Sequence, residues 1–236
     1  MAKSETEIEK WVRNYLNYLT IEKNRSRKTR ENYAHSLGKF LQFAKIKSPA
    51  DITLDLVSDF RNALDERGLK KVTQGYYVIA IRNFLKFLGK RDIKSLAAEK
   101  IELPKPGSRQ IEVIRPEDLA RLLAAPKGDS LRDLRDKAVL EMFFSTGLRL
   151  AELCSLSRYI DLKRGETSVR GKGDKLRVVF ISDSARDAVK AYLAKRTDAE
   201  DKLFVSIDKS GKVIGPVTHR SVQRIVERRA IEAGIP

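Results

Sequence analysis

The chain has 236 residues, of which 42% are hydrophobic and 34% are charged, a composition typical of folded domains with room for two modest hydrophobic cores. It contains no apolar run long enough to span a membrane and no signal-peptide pattern after Met1, so we expect a cytoplasmic protein without a membrane partner. Lysine and arginine number 48 against 32 aspartate and glutamate residues, and the net charge of +16 favours nucleic acid as the partner over an anionic membrane or a charge that serves solubility.

The first hundred residues show apolar side chains at helical spacing. In the first segment they recur at i, i+3, i+4, i+7, i+8 and i+11, at Ile8, Trp11, Val12, Tyr15, Leu16 and Leu19. Similar stripes lie over residues 33–44 and 77–88, with a shorter helix around 54–64, so four helices are predicted. Ser4 and Glu7 form a capping-box pattern for the first helix, and Pro49, Gly68 and Gly89 mark helix ends. Helical spacing indicates that the aromatic residues pack in a core rather than form a base-stacking platform.

A segment rich in proline separates this bundle from the rest of the chain. Residues 96–110 carry prolines and a Gly-Ser pair, which predicts an extended linker with a domain boundary near Gly107. The predicted domains are therefore residues 1–95 and 111–236. Pro116 suits the first turn of a helix, and residues 131–147 read as a longer apolar helix that ends at Gly147.

The second domain is predicted to mix helices with a small antiparallel sheet. Three short segments, YIDL at 159–162, ETSVR at 166–170 and LRVVFI at 176–181, alternate with turns and read as three strands. Residues 184–196 return to a helical pattern, residues 202–206 suggest a short strand, and residues 218–234 form a last, very basic helix.

The stretch STGLRLAELCSL contains the first candidate for chemistry. Gly147 ends one helix and Arg149 begins the next, where helix amides and a planar guanidinium together suit a phosphate or carboxylate oxygen. Glu152 lies three residues on, on the same helix face, and can hold that guanidinium in place. The alternative is an ordinary surface ion pair. Cys154, in the same apolar run, is predicted to be a buried structural thiol.

The stretch VRGKGDKLRVVFI is the second candidate. It is not a P-loop, because its glycines lie between two strands and no Ser or Thr follows the lysine. We predict a hairpin turn whose glycines, Gly171 and Gly173, permit positive φ and whose tip carries Lys172 and Lys175. Such a lysine can donate a proton to a leaving oxygen or hold a phosphate. The alternative is a basic turn without a chemical role.

Taken together and in this order, TGLRLAEL and RGKGDKLRVV resemble the arginine box and the β-hairpin lysine motif of tyrosine recombinases of the Xer and phage-integrase type. The N-terminal stretch SRKTRENYAHSLGKFLQF is similar to that family's SAM-like core-binding domain, so the resemblance covers the whole chain. The resemblance implies phosphotyrosyl strand exchange on double-stranded DNA without a metal or other cofactor. It implies that Arg149 stabilises negative charge on the phosphate and that Lys172 protonates the leaving oxygen. Glu152 would support Arg149. The implied DNA contacts are Arg25, Arg27, Lys28, Arg30, Lys175, Arg177, Arg220 and Arg224.

The chain departs from the family pattern in its second half. Neither His35 nor His219 begins the family's H-x-x-R motif, and helical packing explains the last tyrosine, Tyr192, better than catalysis. We expect a chain that stops before the H-x-x-R box and the nucleophilic tyrosine, binds DNA without cleaving it, and is a monomer off DNA although the full-length protein assembles on DNA as a homo-oligomer.

Several interpretations stay open at this stage. The chain is either part of a strand-exchange enzyme or a non-catalytic accessory module, and the enzyme's role can be chromosome-dimer resolution, phage integration or cassette exchange. A third interpretation is an unrelated DNA-binding regulator that uses its last helix for recognition. The arginines of that helix would then contact phosphates from one side: Arg220, Arg224, Arg228 and Arg229.

Overall fold

The computed structural model describes residues 5–103, 113–171 and 175–235. The chain divides into two compact units, Met1–Gln110 and Ile111–Pro236. The predicted boundary near Gly107 lies outside the described residues. Among these residues, no helix is both long and apolar enough to cross a membrane.

The first unit is a bundle of helices, as the apolar stripes predict. Over residues 5–103 its four α-helices are α1 (Glu7–Ile21), α2 (Arg27–Ala44), α3 (Leu54–Glu66) and α4 (Lys71–Gly89). Two short 3₁₀ turns, Pro49–Asp51 and Ala98–Lys100, accompany them. Side-chain oxygens of Ser26 and Thr53 accept hydrogen bonds from the first-turn amides of α2 and α3, which stabilises both helix starts.

The start of α1 differs from the prediction. Thr6, not Ser4, is the N-cap residue, and its hydroxyl and the Glu9 carboxylate form the capping box with the opposing backbone amides. Ser4 lies outside the described residues. The chain offers two overlapping capping-box patterns here, and spacing alone does not distinguish between them.

Aromatic side chains form the centre of the first core. The ring of Tyr15 lies 5.6 Å from that of Phe84 and 5.1 Å from that of Phe87, and the ring of Phe40 lies 5.3 Å from that of Phe60. All five are buried, which confirms that these stripes pack inward. The same core includes Ala98 and Ile101, so packing against the bundle continues into the segment predicted to be linker.

The second unit combines five helices and two strand pairs within the described residues. Its helices are α5 (Pro116–Ala124), α6 (Leu131–Thr146), α7 (Leu150–Ser155), α8 (Asp183–Lys195) and α9 (His219–Glu232). Its strands are β1 (Glu166–Arg170), β2 (Leu176–Phe180), β3 (Val205–Ile207) and β4 (Val213–Pro216). Strand β1 pairs antiparallel with β2, and β3 pairs antiparallel with β4.

The prediction of a first strand at residues 159–162 is wrong. A single bridge joins Ser157 to Lys202, and the side chain of Asp161 accepts a hydrogen bond from the Lys163 amide, which makes a turn where a strand was expected. A strand forms near the predicted residues 202–206, but it lies later in the chain, as β3 at Val205–Ile207. Its partner β4 was missed because Gly215 and Pro216 are residues that strands usually lack.

Helix α6 lies in the middle of the second core. Ala138, Val139 and Met142 are inaccessible to solvent on it. Tyr192 on α8 is also fully buried, and its hydroxyl accepts a hydrogen bond from the Val205 amide at 3.2 Å. This residue is therefore part of the core. Cys154 is only partly buried, contrary to the prediction, and its burial raises the pKa of the thiol.

Candidate functional site

The turn between α6 and α7 presents Arg149. Gly147 follows α6 with φ +57°, a left-handed conformation that favours glycine, and it reverses the chain. Arg149 is then the N-cap residue of the short helix α7, with 62% of its side chain exposed. Its backbone amide donates to Glu152 Oε2 at 2.8 Å, so that amide is occupied by protein rather than open to a substrate. The exposed group at this turn is the guanidinium.

Glu152 is the buried carboxylate that holds this guanidinium. Only 5% of the residue is exposed, and its Oε1 accepts a hydrogen bond from Arg149 Nη1 at 3.0 Å. Its Oε2 also accepts one from Arg177 Nη2 at 2.8 Å. The hydrogen bond from the Arg149 amide, reinforced by both guanidinium groups, outweighs burial and lowers the pKa of the Glu152 carboxyl below its ordinary value of 4.5. The carboxylate is therefore ionised at neutral pH.

The β1–β2 hairpin approaches this pair at Gly171. The Gly171 amide donates to the Lys175 carbonyl at 2.8 Å, which starts the hairpin turn. A Cβ on Gly171 would lie 3.3 Å from Glu152 Oε1 and 3.5 Å from Arg149 Nη1. The φ of Gly171 is not positive, so this glycine is needed for close approach rather than for the left-handed turn that we predicted. Lys172 and Gly173 lie outside the described residues.

Arg177 on β2 joins the hairpin to the arginine turn. It was predicted to contact DNA, but its Nη2 donates to Glu152 and to the Gly147 carbonyl, the latter at 3.3 Å. The strand pattern could have revealed this, because Arg177 shares its face of β2 with the buried Val179, and alternation therefore directs it inward. Lys175, the residue before the same strand, is exposed.

The predicted DNA contacts of the first unit cluster around the start of α2. Arg25, Arg27 and Lys28 are exposed, and Arg30 is half-buried. The side chains of Arg27 and Lys28 lie 3.3 Å and 3.5 Å from Glu31. Such exposed pairs are weak, so a phosphate can compete with Glu31 for both.

The arginines of α9 fall into two groups. Arg220 and Arg224 are exposed, as expected for phosphate contacts. Arg229 is buried and donates to Asp136 at 2.9 Å and to Asp133 at 2.6 Å, while Arg228 also bonds to Asp136. Burial of Arg229 argues against a phosphate contact there, whereas the Arg228 side chain is 39% exposed and keeps one face toward solvent. Two acidic residues three positions apart in an apolar helix are the signal that predicts such basic partners.

Comparisons with known proteins agree with the domain order. Residues 112–236 match the phage integrase family, and residues 12–92 match the N-terminal SAM-like domain of phage integrases. The tyrosine recombinase XerC of Thermodesulfovibrio yellowstonii is 32% identical, over 98% of this chain and 78% of the relative. The tyrosine recombinase XerD of Chlorobaculum tepidum is 33% identical, over 100% of this chain and 80% of the relative.

A solved structure supports the fold. A lambda integrase dimer bound to a COC' core site matches with a TM-score of 0.71 and 14% identity, over 97% of this chain and 82% of the other. With the two matching domains and the Xer relatives, this fold places the chain in the phage integrase family of tyrosine recombinases.

Proposed function

We propose that the protein acts in site-specific DNA recombination and that Arg149 binds the phosphate at which strands are exchanged. The observation that carries the proposal is the exposed guanidinium of Arg149, fixed by the buried Glu152 beside the hairpin at Gly171. Family membership supports the reaction type, since the Xer relatives are named tyrosine recombinases.

The chemistry of phosphoryl transfer explains why these residues are suitable. Negative charge builds on the non-bridging phosphate oxygens in the transition state, and fixed cationic donors stabilise it. Arginine offers a planar fork of donors, which a lysine cannot reproduce, and Glu152 orients that fork in advance. Lys172 follows Gly171 in the sequence, and we propose that it protonates the departing 5′ oxygen.

Double-stranded DNA is the proposed partner of both units. Each half of the chain is basic, and backbone contacts from two basic surfaces give affinity without sequence readout. The proposed contacts are Arg25, Arg27, Lys28, Arg30, Lys175, Arg220 and Arg224.

We further propose that the protein assembles as a homo-oligomer on DNA, and that residues 1–236 are a monomer off DNA and bind it without cleaving it. The burial of Tyr192, the last tyrosine of the chain, supports the absence of cleavage. Tyr192 has no exposed surface, and its hydroxyl is bonded to the protein backbone, so it cannot reach a phosphate. Cleavage by a tyrosine recombinase needs such a nucleophile to form the covalent intermediate.

A nicked duplex that traps covalent intermediates tests this proposal. We expect the chain to shift the duplex in a native gel and to form no adduct that survives denaturation, with the Tyr192→Phe variant behaving in the same way. An adduct from the unmodified chain would contradict the non-cleaving role. Failure to shift the duplex at low salt would contradict DNA binding itself.

A further inference from the structure

The guanidinium of Arg177 is held by two hydrogen-bond acceptors of the protein. Its Nη2 donates to Glu152 Oε2 at 2.8 Å and to the Gly147 carbonyl at 3.3 Å, and its side chain is 37% exposed. Its Nε is buried and, within the part of the chain that the structure describes, has no hydrogen-bond partner. The Nε and Nη2 atoms of this side chain therefore face protein, although the side chain as a whole is partly exposed.

The two carboxylate oxygens of Glu152 accept hydrogen bonds from different donors. Oε1 receives the guanidinium of Arg149, whereas Oε2 receives both the Arg149 amide and Arg177. The terminal torsion of a glutamate is broad, so one oxygen must be fixed before the other can hold a partner in a defined direction. Arg177 contributes a charge-assisted hydrogen bond to Oε2 and thereby fixes the plane of the carboxylate.

The second contact of Arg177 acts on the backbone that carries Arg149. Gly147 forms the left-handed turn two residues before Arg149. A single Nη2 group thus connects strand β2, the α6–α7 turn and helix α7. Each of these contacts restrains either the turn that carries Arg149 or the carboxylate that orients it.

We propose that Arg177 is a positioning residue for Arg149 and not itself a DNA contact. It acts through Glu152 and Gly147 to hold the Arg149 guanidinium where a DNA phosphate can bind. This inference rests on the proposed function, in which Arg149 binds that phosphate. It replaces the prediction from sequence that Arg177 contacts DNA directly.

A double-mutant cycle on DNA binding tests the inference. The dissociation constant for random-sequence duplex DNA is measured for the unmodified chain, Arg149→Ala, Arg177→Met and the double variant. We expect Arg177→Met to weaken binding about 5-fold in the unmodified background and less than about 2-fold in the Arg149→Ala background. Methionine is chosen because its unbranched side chain has a length similar to the arginine stem. Hydrogen exchange gives a second readout, since the Arg149 amide should exchange its hydrogen faster when the Arg177 guanidinium is removed.

A matched control separates positioning from loss of charge. Lys190 on α8 is exposed and is not among the proposed contacts, so Lys190→Met removes one positive charge elsewhere in the same unit. Its effect should be small and equal in both backgrounds. If Arg177→Met fails to fold, Arg177→Lys replaces it, because a lysine keeps the positive charge but lacks the guanidinium that bonds to Glu152 and Gly147.

Two outcomes overturn the inference in different ways. Equal effects of Arg177→Met, or of Arg177→Lys in its place, with and without Arg149 would show an independent contribution and overturn the positioning role alone. No effect of Arg149→Ala would remove the phosphate role of Arg149 as well, and the proposed function of this residue would fail with it.

Discussion

Within the described residues of the second unit, buried carboxylates restrain arginines that are at least partly exposed, as Glu152 and Asp118 illustrate. Glu152 binds Arg149 and Arg177, and Asp118 on α5 binds Arg115 and Arg121. An isolated long side chain samples many rotamers and must lose that freedom on binding a phosphate. A carboxylate that orients the guanidinium removes part of this entropy in the folded state, before the ligand arrives.

The ionised state of Glu152 gives a prediction about pH. The pKa of its carboxyl is lower in the folded protein than its ordinary value of 4.5. Ionised Glu152 therefore contributes stability that is fully present above that ordinary value. This stability is lost as pH falls through the folded pKa. Glu152→Gln should therefore lower the urea midpoint of unfolding at neutral pH, and the difference from the unmodified chain should narrow on acidification.

The control for this prediction is Glu166→Gln, on the exposed end of β1, which should leave the urea midpoint at neutral pH unchanged. A difference between Glu152→Gln and the unmodified chain that stays constant down to strong acid would contradict a structural role for the Glu152 charge.

Local spacing predicted part of this site. The i, i+3 relation gave the Arg149–Glu152 pair because both residues lie within one turn of chain. The contact from Arg177 comes from 25 residues further along, and sequence spacing carries no information about such a distance. Gly171 was recognised as special but for the wrong reason, because close approach to Glu152 exists only in the folded hairpin.

At the scale of elements, α6 and α9 are joined by buried charge. Asp136 has no exposed surface and binds Arg135, Arg228 and Arg229. A buried carboxylate is costly unless it is fully paired, so this cluster specifies how α9 packs on α6. The outer face of α9 then keeps Arg220 and Arg224 exposed.

Arg224 and Arg229 give a matched comparison on one helix. We expect Arg229→Met to destabilise the second unit by about 3 kcal/mol in urea unfolding, near the low end for a broken buried ion pair because Arg135 and Arg228 still face Asp136. Arg224→Met should change stability by less than about 0.5 kcal/mol and should weaken duplex binding. Equal destabilisation by the two variants would contradict this division of α9.

Elements with strong periodicity were predictable, whereas short ones depended on tertiary contacts. The stripes of α1, α2 and α4 define helices from sequence alone, since burying one face is what stabilises such a helix. Residues 159–162 show a strand composition but form a turn stabilised by Asp161. In strand β4 the composition disfavours a strand but a strand forms, because pairing with β3 overrides the low strand propensity of Gly215 and Pro216.

At the scale of the whole molecule, charge and fold point to the same partner. A net charge of +16 was sufficient to suggest a polyanionic partner, but many strongly basic proteins do not bind a specific DNA site. The two ordered motifs narrowed the suggestion to one family, and the matches over residues 12–92 and 112–236 established it. The positions of the exposed arginines, which decide where a duplex binds, required the structure.

The most direct measurement is the salt dependence of duplex binding for the unmodified chain, Arg149→Ala and Lys190→Met. We expect the logarithm of the association constant to fall with the logarithm of salt concentration at a slope of about −4 or steeper, because several phosphates are neutralised. Arg149→Ala should make the slope shallower by about 1, and Lys190→Met should leave it nearly unchanged. An Arg149→Ala slope equal to that of the unmodified chain would contradict a phosphate contact at Arg149.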